Sequence, residues 1–266
     1  EGTNFTGSLL IGHSTTGVIS SAENNTGVGI GALDALTTGD SNVAIGNLAG
    51  SAITSAGSNM LIGRAAGDAL TSGSYNTAIG HFALSAEDHH GGNVAVGHEA
   101  LKVQNAGADA YNIAIGYHAG QSVTTGIQNV IVGGLAADAL TTGGGNVALG
   151  DRALSAEDTG SYSVAVGYRA LQQQDNNDNN YNIAVGADAG RSINSGIYNV
   201  VIGGLAGDAL TSGTRNVAIG LNALGSEDTG SHNVAIGHGA LKTADAGADA
   251  YNVAIGSSAG TAVTTG

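Results

Sequence analysis

The chain has 266 residues with an unusual composition: 46 Gly, no Pro, no Cys, no Trp and only 4% aromatic residues. So few large side chains exclude an ordinary globular core built around buried aromatic rings. The formal net charge of −14 disfavours nucleic acid or an anionic membrane as a partner, because both carry negative charge themselves. The lack of cysteine excludes disulfides and thiolate chemistry, and no apolar run is long enough for membrane insertion.

A short motif close to Asn-Val-Ala-Ile-Gly recurs along the chain. We recognise fifteen copies, which end at Gly12, Gly31, Gly46, Gly63, Gly80, Gly97, Gly116, Gly133, Gly150, Gly167, Gly186, Gly203, Gly220, Gly237 and Gly256. From Gly46 onward the intervals of 17, 17, 17 and 19 residues repeat three times, which gives a superperiod of 70 residues. We therefore expect an irregular N-terminal or junction region over residues 1–45 and a regular repeat over residues 46–266.

Within the motif, aliphatic and small residues alternate. The residue before the glycine is Ile, Val or Leu in every copy, and the residue two places earlier is aliphatic or Met except at Thr77. The residue between them is usually Ala, and this period of two is typical of a β-strand. Asn-Gly, the strongest hairpin signal, does not occur, which favours parallel stacking over antiparallel hairpins. The sequence predicts an all-β chain, a parallel β-solenoid of about fifteen coils of 17–19 residues.

Two further positions of the motif suit such a solenoid. Asn opens twelve of the copies, and Ser163 replaces it once. Stacked asparagine amides can hydrogen-bond from one coil to the next, so we expect an Asn ladder along the solenoid. The glycine that ends each copy indicates a corner with positive φ, or one too crowded for a Cβ atom.

The two aliphatic positions are expected to face the interior of the coil, with the small residue between them facing outward. A few aliphatic side chains per coil offset only part of the entropy lost on ordering it, so we expect a second buried face between chains. The flat strip of small residues suits that contact, which predicts a homotrimer. Its interface is expected to contain Ala44, Leu61, Ala78, Ala95, Ile131, Ala148, Val201 and Ala218.

Repeats of this kind resemble the left-handed parallel β-roll heads of YadA-like trimeric autotransporter adhesins. The match is close at residues 42–46, 216–220 and 233–237, which all read Asn-Val-Ala-Ile-Gly. Longer repeats with Ala-Leu after the glycine and Thr-Gly before the next Asn, as at residues 222–230, are similar to repeats in phage tail fibres, cyanophages included. The resemblance implies a left-handed, trimeric fold and an extracellular location, on a virion fibre or a cell-surface appendage.

Chemistry-bearing residues form no catalytic pattern. No Ser, His and Asp set recurs, and no phosphate-binding loop occurs, so we expect neither an enzyme nor a cofactor. His81 and His98 occupy the same position in consecutive coils and are the only histidines that suggest a metal site, although we predict none. The Glu-Asp pairs that begin at Glu87, Glu157 and Glu227 are expected to be solvated loop residues.

The pattern as a whole predicts a structural fibre shaft or adhesin segment, of a phage tail fibre in the first place. The alternatives are a bacterial trimeric autotransporter head and an ice-binding or surface-adsorbing solenoid. Every fourth interval carries an insert that ends in tyrosine, at Tyr111, Tyr181 and Tyr251. Tyr combines an apolar ring with a polar tip, so these three residues are the candidates for contact with a host-surface glycan.

Overall fold

The computed structural model describes residues 7–12, 21–247 and 249–265, which form two compact units, Glu1–Asn129 and Val130–Gly266. Every strand is three residues long. The first unit contains β1 Leu9–Ile11, β2 Thr26–Val28, β3 Val43–Ile45, β4 Met60–Ile62, β5 Thr77–Ile79, β6 Val94–Val96 and β7 Ile113–Ile115. The second contains β8 Val130–Val132, β9 Val147–Leu149, β10 Val164–Val166, β11 Ile183–Val185, β12 Val200–Ile202, β13 Val217–Ile219, β14 Val234–Ile236 and β15 Val253–Ile255.

Consecutive strands pair in parallel within each unit, and the register never slips. Ala44 of β3 lies opposite Leu61 of β4, and Ala165 of β10 lies opposite Ala184 of β11 across one of the longer coils. One coil of chain therefore separates each strand from the next, which confirms the predicted all-β parallel β-solenoid. None of the described residues forms a helix of the length and apolar character needed to cross a membrane.

The second copy of the motif lies two residues earlier than the sequence suggests. Thr26 pairs with Val43 and with Leu9, so the glycine that ends this copy is Gly29 rather than Gly31. Its opening asparagine is then Asn25. The described part of residues 1–45 thus keeps the 17-residue register of the later coils, and the proposed boundary at residue 45 otherwise stays a prediction.

The Asn ladder is confirmed. Asn59 donates from its backbone N and from Nδ2 to Oδ1 of Asn42, each over 3.1 Å. Its Nδ2 also donates to the carbonyl of Gly73 over 2.9 Å, and thereby closes its own coil. Where Ser163 interrupts the ladder, Gln174 enters the core and donates from Nε2 to Ser163 Oγ over 2.8 Å. Its Oε1 accepts from Nδ2 of Asn182 in the next coil, also over 2.8 Å, so the polar column stays connected.

The glycine corner combines both predicted constraints. Gly203 has a φ of 131°, a region that L side chains rarely adopt. A Cβ atom built on it would lie 2.7 Å from the carbonyl carbon and oxygen of Gly220 in the next coil. The close stacking of coils at this corner therefore leaves no room for a side chain.

Candidate functional site

The strands face the opposite way from the prediction. The eight residues expected at a trimer interface are all 0% exposed within the single chain: Ala44, Leu61, Ala78, Ala95, Ile131, Ala148, Val201 and Ala218. They point into the coil, so they cannot contact another chain, and their assignment to an interface was wrong. The aliphatic residues that flank them in each strand are the ones that face outward.

The physical reason is the small cross-section of the coil. The interior already receives Ala153 and Leu154 from the turn after the corner glycine, both 0% exposed, which leaves room for only a small residue from the strand. A larger strand residue is matched by a small residue elsewhere in the same coil. In the coil of Leu61, for example, the small residue is Gly67. A Cβ atom on Gly67 would lie only 2.8 Å from Leu61 Cδ2. The bulkier residue of every fourth coil therefore fills the core.

The outward face of the strands forms an apolar strip in each unit. Its two columns contain only Leu, Ile, Val and Met, apart from Thr26 and Thr77. Even in the middle of the first unit these side chains stay partly exposed, with Ile45 at 39% and Met60 at 44%. No charged residue interrupts either column. A long, flat strip of this kind is typical of a protein-protein contact surface.

Each of the three predicted tyrosines directly precedes an asparagine of the Asn ladder. Tyr111, Tyr181 and Tyr251 have left-handed φ values of 51°, 49° and 53°, and their exposed fractions are 59%, 45% and 65%. The Tyr181 ring stacks between two other tyrosines, 5.3 Å from Tyr162 and 5.6 Å from Tyr198 between ring centroids. The surface around Tyr181 is thus a continuous aromatic ladder.

Tyr111 borders a surface cleft of about 420 Å³ in the first unit. Opposite it stands Tyr75, whose side chain is 75% exposed, and Gly92 occupies the coil between them. A Cβ on Gly92 would lie 2.7 Å from the Tyr111 ring, so glycine leaves space for that ring. Hydroxyl, imidazole and carboxylate groups complete the lining, which consists of Ser72, Ser74, Tyr75, His89, Gly92, Asp109 and Tyr111.

The two histidines singled out in the sequence lie side by side. Nδ1 of His81 is 3.3 Å from Nε2 of His98, and the ring planes are tilted by 41°. His98 also lies close to Glu99 and to His118 of the next coil, and each of these three residues offers a ligand atom within 4.8 Å of the others. A hydrogen bond from Lys102 lowers the pKa of the Glu99 carboxyl below its usual value, so this group is ionised at neutral pH.

The structure corrects the expectation for Glu87, Glu157 and Glu227. All three side chains are 0% exposed. Oε1 of Glu157 accepts from the backbone N of Gly160 over 2.6 Å, and Oε1 of Glu227 accepts in the same way from Gly230 over 2.7 Å. These glutamates therefore lie in the interior and accept hydrogen bonds from the loop backbone of their own coil.

Comparison with protein-family models, curated proteins and solved structures finds no match to this chain.

Sequence reasoning missed the aliphatic strip, the cleft beside Tyr111 and the His118 ligand atom. The strip could not be recognised from alternation alone, because alternation separates two faces without saying which one is inside. His118 follows the corner glycine by two residues, whereas His98 follows it by one, so a comparison of equivalent positions does not bring them together. The 70-residue recurrence of the buried glutamates was the available signal for their structural role.

Proposed function

We propose that this chain is a structural segment of an extracellular fibre that assembles as a homotrimer through its outward aliphatic strip. The observation that carries the proposal is the strip itself, two uncharged columns of side chains that are aliphatic or Met apart from Thr26 and Thr77, on an otherwise acidic chain. The long coils with Ala-Leu after the glycine favour a phage tail-fibre shaft, with a bacterial adhesin head as the alternative. In either case the solenoid supplies reach and stiffness.

Further copies of the same chain are the best occupants of this strip. The strip repeats with the spacing of the coils, and another copy offers an apolar strip of matching spacing. The net charge of −14 would repel a second copy elsewhere, but the strip carries no charge. In a monomer this apolar face of the sheet would be exposed to water, with no charged residue in either column to prevent association.

Sedimentation equilibrium of the native chain tests this assembly, and a mass three times that of the 25.7 kDa chain is expected. The double variant Val164→Glu, Val166→Glu places two carboxylates on the strip, and we expect it to sediment as a monomer or a weaker oligomer. The matched control is Thr142→Glu, which adds a carboxylate to an exposed loop. A native chain that stays monomeric at high concentration would contradict the proposal.

The exposed tyrosines support a second element of the proposal, contact with a host-surface glycan. The cleft between Tyr75 and Tyr111 combines two aromatic rings with Ser72, His89 and Asp109. Sugars pair apolar ring faces with hydroxyl groups, and such a cleft offers partners for both. The ladder around Tyr181 offers further ring surface.

A glycan array tests this contact. We expect the variant Tyr75→Ala, Tyr111→Ala to lose most of the signal, while Tyr168→Ala keeps it, because Tyr168 is 46% exposed but lies outside the cleft. Equal signals from the two variants would reject the cleft as the binding site and leave the fibre as a spacer.

The threonines favour a fibre over an ice-adsorbing surface. The hydroxyls of Thr54, Thr71 and Thr211 donate to backbone carbonyls in the next coil, over 3.2, 3.0 and 3.0 Å. These groups connect coils, so they are already engaged within the solenoid. Ice recrystallisation assays on the chain are expected to show no inhibition.

A further inference from the structure

The corner that follows β6 brings together three side chains of metal-ligand type. His98 and Glu99 follow the corner glycine Gly97, and His118 lies in the next coil, held by a 2.9 Å hydrogen bond from its backbone N to the carbonyl of His98. The ligand atoms of the three side chains lie within 4.8 Å of one another. Because backbone hydrogen bonds fix the two coils relative to each other, the three side chains lie near one another before any ligand binds.

The His118 ring contains a polar atom without a hydrogen bond. Its Nε2 is buried, donates to or accepts from no described residue, and lies 3.7 Å from Oε2 of Glu99. That distance is too long for a hydrogen bond. A buried polar atom left unsatisfied in this way calls for a partner, and imidazole nitrogen is the commonest metal ligand in proteins.

The second 70-residue repeat shows what these positions do when they form an ordinary contact. Arg169 and Asp188 stand where the first repeat has Glu99 and His118. They form a two-pronged ion pair, with Arg169 Nε 2.8 Å from Asp188 Oδ1 and Nη2 3.1 Å from Oδ2. The same backbone positions therefore allow a close ion pair between Arg169 and Asp188, whereas Glu99 and His118 in the first repeat stay 3.7 Å apart.

We propose that His98, Glu99 and His118 bind one divalent transition-metal ion of the zinc type. Two imidazole nitrogens and a carboxylate oxygen form a donor set that Zn²⁺ prefers, and water would complete a tetrahedral shell. Ligand bonds of about 2.0–2.2 Å place the donor atoms about 3.3 Å apart, so small side-chain rotations must draw them together. The ion would join two adjacent coils.

Two neighbouring groups compete for the Glu99 carboxylate. Lys102 Nζ lies 3.1 Å from Glu99 Oε1, and Gln121 Nε2 donates to Glu99 Oε2. The positive charge of Lys102 also opposes a second cation at this carboxylate. Replacing Lys102 with methionine keeps the length of the side chain and removes its charge, so Lys102→Met is expected to tighten Zn²⁺ binding several-fold.

Isothermal titration of the full chain with ZnCl₂ tests the site, and we expect about one ion per chain. His98→Ala and His118→Asn should each weaken binding at least tenfold, since each removes a ligand. Asn is chosen at position 118 because His118 has a φ of 55°, which Asn tolerates. Circular dichroism confirms that the variants fold, and the absorption spectrum of bound Co²⁺ reports a tetrahedral nitrogen and oxygen shell.

The matched control is His238→Ala, which removes a histidine from the same position of the third repeat, where Gly239 and Ser258 replace the other two ligands. It should leave binding unchanged. Binding that persists in both His98→Ala and His118→Asn would overturn the proposal, as would the absence of any heat at about tenfold excess ZnCl₂. Loss of binding in His90→Gln alone would assign the ion to the loop at Glu87, Asp88 and His90 and would also overturn it.

Discussion

Nδ2 of Asn180 donates a 2.7 Å hydrogen bond to Oε2 of Glu157, and both side chains are fully buried. Gln174 Nε2 donates to the same oxygen over 2.9 Å. The Glu157 carboxylate thus accepts hydrogen bonds from Gly160 in its own coil and from Gln174 and Asn180 in the following coil. In the other two repeats the position of Asn180 is Ala110 or Ala250, and only the second repeat has this full set of donors.

Substitution Glu157→Ala is expected to lower the free energy of unfolding by about 3 kcal/mol or more. The backbone N of Gly160 and Nδ2 of Asn180 would lose their acceptor, Gln174 Nε2 would keep only Ser163 Oγ, and each buried unsatisfied donor costs about 1–3 kcal/mol. Urea unfolding followed by circular dichroism measures the loss. The control Asp178→Ala removes an exposed carboxylate from the same region and should change stability little; an equal loss in both variants would contradict the assignment.

Two of the buried glutamates, Glu87 and Glu157, give the stability a pH dependence. Burial raises the pKa of Glu87 and of Glu157 above the usual value of 4.5. The folded chain then holds these protons at pH values where the unfolded chain has released them. Their contribution to stability is complete below about pH 4.5 and is lost as the pH rises through the folded-state pKa.

The variant Glu157→Gln, which has no proton to release, isolates this effect. Relative to the native chain, its free energy of unfolding should rise as the pH increases above about 4.5 and through the raised pKa of Glu157. Urea titrations at several pH values measure the difference. Asp178→Asn, which neutralises an exposed carboxylate, should show no such rise, and a flat difference for Glu157→Gln would refute the prediction.

Substitution Gly203→Ala tests the crowded corner. The new Cβ would meet the carbonyl group of Gly220 at 2.7 Å, and the backbone would be held at a φ of 131°. We expect a loss of about 3 kcal/mol or more, or failure to fold. Gly239→Ala also adds a Cβ at positive φ, 64°, but meets nothing within 4 Å, so about 1 kcal/mol is expected there. Similar losses in thermal or urea unfolding would show that steric contact between coils is unimportant.

Substitution Ala148→Glu is expected to prevent folding of the second unit. Ala148 is 0% exposed, and an unpaired carboxylate in the apolar interior costs several kcal/mol. Thr142→Glu at an exposed loop position should leave the circular dichroism spectrum and the unfolding midpoint nearly unchanged. A folded and stable Ala148→Glu variant would mean that this column faces solvent or another chain after all.

The sequence alone determined the repeat, the parallel stacking, the Asn ladder and the strand positions, apart from the second copy of the motif, which ends at Gly29 rather than Gly31. These features follow from local chemistry that recurs at a fixed spacing. Asn42 and Asn59, for example, can bond only if consecutive coils lie in register. The glycine corner belongs to the same class, since a column without exception marks a position that excludes a Cβ atom.

Only the tertiary structure decided which side of each strand is the interior. Alternation in Val147, Ala148 and Leu149 separates two faces, and the larger side chains were expected inside because burying them is more favourable. In the coil of Ala148 the interior is already filled by residues such as Leu154, so the small alanine fits there and the larger side chains face outward. The same packing buries Glu157 and places His118 beside Glu99, contacts between coils that the linear order of residues does not contain.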